Sequence, residues 1–98
     1  MTQDAVQVAP DVYNVLFEND QVRLLQYHMK PGDNSAPHSH SNYLVYSLDD
    51  GTIAFHTPSG ESFDADMRTG QTVWREAEDH SATNNGPNDV RGLLFELK

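Results

Sequence analysis

Turn-forming clusters interrupt this chain so often that a helix of three turns has nowhere to form. Glu18-Asn19-Asp20, Pro31-Gly32-Asp33-Asn34, Asp49-Asp50-Gly51, Thr57-Pro58-Ser59-Gly60, Thr69-Gly70 and Asn85-Gly86-Pro87-Asn88 follow one another at short intervals after Pro10. Gly and Asn tolerate positive φ, Pro presets φ, and Asp and Asn side chains bond their own backbone. Between these breaks the residues are rich in Val, Leu, Tyr and Phe with partial period-two alternation, the pattern of strands. Strands are predicted over 12–17, 22–29, 43–48, 52–56, 62–67, 72–75, 80–84 and 90–97. The stretch 22–29 is apolar on both faces over much of its length. Short strands this closely spaced indicate an all-β sandwich or barrel with little or no helix.

The 98 residues suffice for one domain. Residues 1–11 read as an N-terminal arm, disordered or paired with a neighbouring subunit, and 12–98 as a single domain. A domain of this size buries only about 60–65% of the surface its unfolded chain exposes. Closing the sheet or pairing two copies relieves that shortage, so a homodimer is expected. Fifteen acidic against six basic side chains give a formal charge of −9. Nucleic acid and anionic membranes need clustered Lys and Arg, so neither is an expected partner. No apolar run approaches the ~20 residues that span a bilayer. Met1-Thr2-Gln3-Asp4 lacks the charged-then-apolar order of a signal peptide, which makes the cytoplasm the expected location.

Cysteine is absent. Disulfides, thiolate metal sites and thiol nucleophiles are thereby excluded, and any metal chemistry must run on histidine nitrogen and carboxylate oxygen. Of the five histidines, His38-Ser39-His40 is the informative pair, because side chains at i and i+2 of a strand leave the same face. Two neutral imidazoles on one face suit Zn, Fe, Ni or Cu once a third ligand arrives from another strand. His56 reads as a hairpin-edge residue, and His28 as a hydrogen-bonded structural residue or, alternatively, a proton shuttle lining the pocket. Tyr27, Tyr46, Phe55, Trp74 and Phe95 are candidates to line a barrel, and Arg75 and Arg91 to hold an anion or to form surface ion pairs. No serine stands in a nucleophile elbow, and phosphate-cradling glycine loops are missing.

The pair sits in a longer frame. Gly32, five residues, His38, one residue, His40, three residues, Leu44, six residues and Gly51 match the spacing of the first cupin motif, while Gly70 and His80-Ser81-Ala82-Thr83-Asn84 match the ends of the second. From Val12 to Leu97 the chain therefore resembles the cupin superfamily. Tyr43-Leu44-Val45 before Asp50-Gly51, Gly70-Gln71 before Arg75-Glu76-Ala77, and the ending Phe95-Glu96-Leu97-Lys98 make it similar to the small single-domain, RmlC-like cupins of the BauB group. That resemblance implies a double-stranded β-helix, or jelly-roll barrel. It also implies a divalent transition metal held by His38, His40 and His80, and a small-molecule ligand inside the barrel.

Two departures from the family pattern are evident. The frame puts the family's glutamate ligand at Leu44, which implies three nitrogens, no carboxylate and an open coordination position. The turn before His80 reads Glu76-Ala77-Glu78-Asp79, without the family's Pro-x-Gly and one residue short. His80 is still expected to point inward, with Glu78 or Asp79 as alternative oxygen ligands at the mouth. The functions implied are a metal-dependent enzyme, dioxygenase-like or a lyase or isomerase, acting on a small anionic molecule. Alternatives are a non-catalytic ligand-binding barrel and a structural homodimer with a vestigial metal site.

Overall fold

In the computed structural model, which describes residues 4–98, turns and strands alternate along almost the whole chain. Nine strands form: β1 (Tyr13–Glu18), β2 (Val22–Met29), β3 (Asn34–His40), β4 (Tyr43–Ser47), β5 (Gly51–His56), β6 (Ser62–Met67), β7 (Thr72–Arg75), β8 (Glu78–Thr83) and β9 (Val90–Leu97). Four of them coincide with the predicted bounds and four more shift at their ends by one or two residues. β3 is the addition, a full strand carrying the His-x-His pair. The expected arm also holds structure: one helical turn, α1 (Ala5–Val8), with Ala5 completely buried in the core. Asp4 caps it, accepting from the Gln7 amide at 3.3 Å.

The strands make two antiparallel sheets, ordered β1-β2-β9-β4-β7 and β3-β8-β5-β6. Their inner faces enclose a core built from Tyr13, Leu25, Met29, Ile53, Val90 and Leu94, with α1 packed beside it. β2 and β9 pair along their full lengths, placing Leu25 opposite Leu94 inside and Leu24 opposite Phe95 outside. The two outer faces differ. Thr52, Asp64, Asp66, Asp79 and Ser81 stand on the outside of the four-stranded sheet, whereas the outside of the five-stranded sheet is largely apolar.

Parity corrects several expectations about barrel lining. Tyr27 and Phe55 face inward, but Tyr46 (38% exposed), Trp74 (48%) and Phe95 lie on the outer face of the five-stranded sheet. Leu44 is there too. β4 alternates from Tyr43, so Tyr43, Val45 and Ser47 are buried while Leu44 is 37% exposed. Matching the glycine spacing counts residues without setting the phase in which a strand begins, and a one-residue offset sends a side chain to the opposite face.

Gly92 marks a close approach inside the barrel. It lies opposite Tyr27, and a Cβ there would come within 2.3 Å of the Tyr27 ring. Tyr27 is itself buried and has nowhere to retreat. Gly92→Ala is therefore expected to lower unfolding free energy by about 1–3 kcal/mol, the usual cost of overpacking a core. Urea denaturation checks this.

Candidate metal centre

His38 and His40 project from β3 and His80 from the adjacent β8, with His38 directly opposite His80 and His40 opposite Glu78. A bulge between Ser35 and His38 adds one residue to β3. It re-phases the strand, so that Ser35, His38 and His40 are all buried. Pro37 fits this irregular stretch, because it has no N–H to give to a ladder. The three imidazoles are each at most 5% exposed, and one ring nitrogen from each lies within 4.8 Å of the others. Their ring centroids are 4.7, 4.7 and 5.0 Å apart in mutually steep, edge-on orientations.

Neighbouring groups set which nitrogen faces the centre. The Nδ1–H of His38 donates to the Ala36 carbonyl at 2.7 Å, which leaves Nε2 to accept from the Tyr13 hydroxyl at 3.0 Å. His40 gives its Nδ1–H to Glu96 Oε2 at 2.6 Å. The Glu96 carboxylate also receives Arg23, at 2.8 Å from Nε and 2.7 Å from Nη2, and Arg23 continues to Asp4. His80 has its Nδ1 3.6 Å from Glu78 Oε1, too far for a hydrogen bond. Glu78 is instead held by Tyr43 (2.7 Å) and by a two-pronged contact from Arg75 (2.8 and 3.0 Å).

Burial pushes the His38 imidazole down to about 4 and holds His80 below the ordinary histidine range. Both rings are thus neutral near pH 7, the form that ligates a metal. Burial works against ionising Glu96, but hydrogen bonds from His40 and Arg23 outweigh it and keep the carboxyl ionised below its ordinary value. Glu78 is likewise depressed despite burial, by His80, Arg75 and Tyr43. Burial raises the phenols of Tyr13 and Tyr43, which stay protonated.

The residues fit a metal. His40 Nε2 and both nitrogens of His80 are buried without a hydrogen-bond partner among the described residues. A buried polar atom left unpaired costs about 1–3 kcal/mol. A cation bound by Nε2 of His40, with one nitrogen each of His38 and His80, would take up the His40 lone pair and the single lone pair of a neutral His80 ring. Three imidazoles form a donor set for Zn, Fe or Ni.

The other sequence candidates fall elsewhere. His28 pairs with Asp89 at 2.9 Å on the outer face, and His56 hydrogen-bonds Ser62 and Thr83 on the outside of the opposite sheet. Arg91 pairs with Asp49. Asp79 is exposed and accepts from Ser39, so it is not an oxygen ligand, while Glu78 faces the histidines behind the Tyr43 and Arg75 contacts. The short turn before His80 is absorbed because β8 already begins at Glu78. In the sequence Glu96 stands only within the terminal motif Phe95-Glu96-Leu97-Lys98. Its signal is a carboxylate two residues from Leu94, on the same face of a strand whose other inward residues are apolar.

Comparison with known proteins agrees with this geometry. No family model matches the chain. The beta-alanine degradation protein BauB of Pseudomonas aeruginosa is 30% identical over 89 residues, covering 89% of this chain and 93% of the relative. The chain belongs to the small cupins. The crystal structure of a cupin domain from Bordetella pertussis superposes with a TM-score of 0.82 at 24% identity, covering 100% of this cupin and 98% of the other. An RmlC-like cupin from Methanocaldococcus jannaschii gives 0.69 at 12% identity over 88% and 78% of the two chains. The polyketide cyclase RemF of Streptomyces resistomycificus gives 0.66 at 16% identity over 99% and 70%. The cupin is thus a double-stranded β-helix with three buried histidines placed to hold a metal.

Proposed function

We propose that this cupin holds one divalent transition ion on His38, His40 and His80 and presents it to a small anionic molecule. The convergence of three buried nitrogens, two of them on rings with no lone-pair partner facing the centre, carries the reading. Such an ion, Fe, Zn, Mn or Ni, supplies Lewis-acid polarisation of a bound oxygen or redox chemistry with dioxygen. The dioxygenase-like and the lyase or isomerase classes both draw on that chemistry.

Charge favours an anion. Glu96 and Asp4 share Arg23 and Glu78 pairs with Arg75, so the fixed charges around the three histidines largely offset one another. A dication placed among them would keep its two positive charges inside a low-dielectric barrel, where an anionic ligand offsets them far more strongly than in water. β4 contributes no carboxylate to the centre, since its inward residues are Tyr43, Val45 and Ser47.

Size restricts the ligand. The cavity beside the histidines measures about 40 Å³ and is lined by Tyr13, Tyr43, Val45, Phe55, Met67 and Leu94 among others. That is room for a few atoms. Tyr43, Val45, Phe55 and Met67 also line a second hollow of about 90 Å³ that reaches Gln71 and Arg75. The two hollows give a route inward between β6 and β7, which end their respective sheets without pairing to each other. Tyr43 spends its O–H on Glu78, whereas a cation taking the His38 Nε2 lone pair would free the Tyr13 O–H to donate to an anion there.

Titrating chelator-treated protein with Co(II), read by its visible bands, tests the reading. About one equivalent should bind, and a small carboxylate or azide should then alter the bands. Binding below about a tenth of an equivalent would overturn the metal site. Normal metal uptake with bands indifferent to every small anion would overturn the anionic ligand.

A further inference from the structure

We infer that Glu78 and Arg75 form an exchangeable pair at the mouth of the cavity. An incoming carboxylate takes the Arg75 guanidinium, and the Glu78 carboxylate it displaces closes onto the Nδ1–H of His80. The inference rests on the metal site and anionic ligand proposed above. It names the ligand's class, a short carboxylate with a second donor atom for the ion.

His80 has a gap in its surroundings. A ring that ligates through one nitrogen carries a proton on the other, and that N–H ordinarily meets a carboxylate, a carbonyl or water. His38 has the Ala36 carbonyl and His40 has Glu96. His80 has no such partner: its Nδ1 is buried and unpaired, with Glu78 Oε1 facing it from 3.6 Å. A cation on Nε2 would leave the Nδ1–H aimed at that oxygen. Glu78 needs to travel less than about 1 Å to accept it.

Arg75 is what holds Glu78 back. The guanidinium donates to Oε1 at 2.8 Å through Nη2 and to Oε2 at 3.0 Å through Nε, while Tyr43 donates to Oε2 at 2.7 Å. Releasing Arg75 therefore leaves Oε2 on Tyr43 and turns Oε1 over to His80. Glu76 and Ala77 alone separate Arg75 at the end of β7 from Glu78 at the start of β8. The short turn is thus what sets the pair beside the histidines.

The place of Arg75 supplies the other half. It lines the outer hollow with Tyr43, Phe55 and Gln71, and no other Lys or Arg among the described residues lines either hollow. Asp66 also borders the outer hollow, where it accepts from Thr52. The guanidinium carbon lies 5.8 Å above the Phe63 ring, a contact that steadies it once Glu78 has left. A planar guanidinium meets a carboxylate with two parallel N–H bonds. The exchange replaces one two-pronged contact with another and adds a bond at His80, so the protein gains a hydrogen bond. Glu78 Oε1 lies between Arg75 Nη2 and the His80 ring, which keeps the guanidinium within reach of a short molecule bound at the histidines.

Glycolate, a carboxylate with a neighbouring hydroxyl, and azide, which has no second end, are the probes that test the exchange. Binding to the Co(II)-loaded protein is read from the visible bands, and the His80 Nδ1–H proton is followed by NMR in the Zn(II)-loaded protein. Arg75→Gln should weaken glycolate about 10–100-fold, the worth of hydrogen bonds between charged groups, and azide by less than about fivefold. In the wild type, glycolate should move the His80 N–H signal downfield as it gains an acceptor, and Glu78→Ala should abolish that movement. Wild-type glycolate affinity in Arg75→Gln would overturn the inference. So would a wild-type His80 signal that stays in place under saturating glycolate, a result that needs no variant to fold. If azide alters the Co(II) bands and glycolate does not, the exchange fails while the anionic ligand stands; if neither does, both fail.

Discussion

Replacing His80 with leucine should abolish stoichiometric metal binding while making the metal-free protein more stable, two effects of opposite sign from one side chain. The loss of metal follows from the donor count. Of three converging nitrogens, two remain, both on β3, and no other histidine or carboxylate joins the cluster among the described residues. Affinity should fall by more than about 100-fold, beyond what loss of an outer partner costs. The gain in stability follows from the state of His80 without metal. Both of its ring nitrogens are buried and unpaired, and its ring is tilted against Phe55 with centroids 5.1 Å apart. Leucine keeps that apolar contact and removes two polar atoms, each costing about 1–3 kcal/mol when left unpaired. Some of that is offset by imperfect packing, so about 1–2 kcal/mol of net stabilisation is expected. Urea melts of the apo proteins and Co(II) titrations measure the two effects independently. A destabilised apo variant would mean that His80 serves the fold and not a ligand.

The site was legible because His38 and His40 stand at i and i+2 inside the frame of Gly32 and Gly51, and His80 stands ahead of Asn84 in the second motif. Strands were legible for a simpler reason: the breaks at Pro31-Gly32, Asp50-Gly51, Thr57-Pro58 and Gly86-Pro87 left room for little else. Phase was harder. Counting between Gly32 and Gly51 placed Leu44 at a ligand position, but the loop at Ser41 and Asn42 begins β4 on Tyr43, which turns Leu44 outward. The bulge at Ala36 and Pro37 shifts phase in the other direction and brings His38 and Ser35 to the same side. Neither offset is encoded by residue type alone. The outward aromatics were misplaced for a related reason. Aromatic residues in strands are usually core, but Tyr46, Trp74 and Phe95 alternate with Val45, Val73 and Leu94, and alternation alone does not say which face is inward. Glu96 was hidden because its partners Arg23 and His40 lie 73 and 56 positions away in the chain.

Glu96 is where fold and site meet, and two substitutions there should separate its roles. Its carboxylate, 4% exposed, joins the Arg23 guanidinium from β2 to the His40 ring from β3, so it ties the two sheets together. Glu96→Gln keeps the shape and an oxygen able to accept from His40 Nδ1–H, but discards the charge. His40 keeps its orientation, and its Nε2 becomes a weaker donor to a cation. Metal affinity should fall about 10–100-fold, the range for removing the outer partner of a ligating histidine. Glu96→Leu also removes the acceptor. His40 Nδ1–H is then buried and unpaired, and Arg23 retains only Asp4. Stripping one member from a buried ionic cluster costs about 3–5 kcal/mol, and the Asp4 contact places the expectation toward the lower end of that range. Denaturant midpoints for both variants, measured without metal, read the structural role, and Co(II) titration of Glu96→Gln reads the electronic one. If Glu96→Gln binds metal as tightly as the wild type, the carboxylate only props the barrel. If Glu96→Leu is as stable as the wild type, then the Arg23–Glu96–His40 chain does not join the sheets, and the orientation of His40 must come from β3 alone.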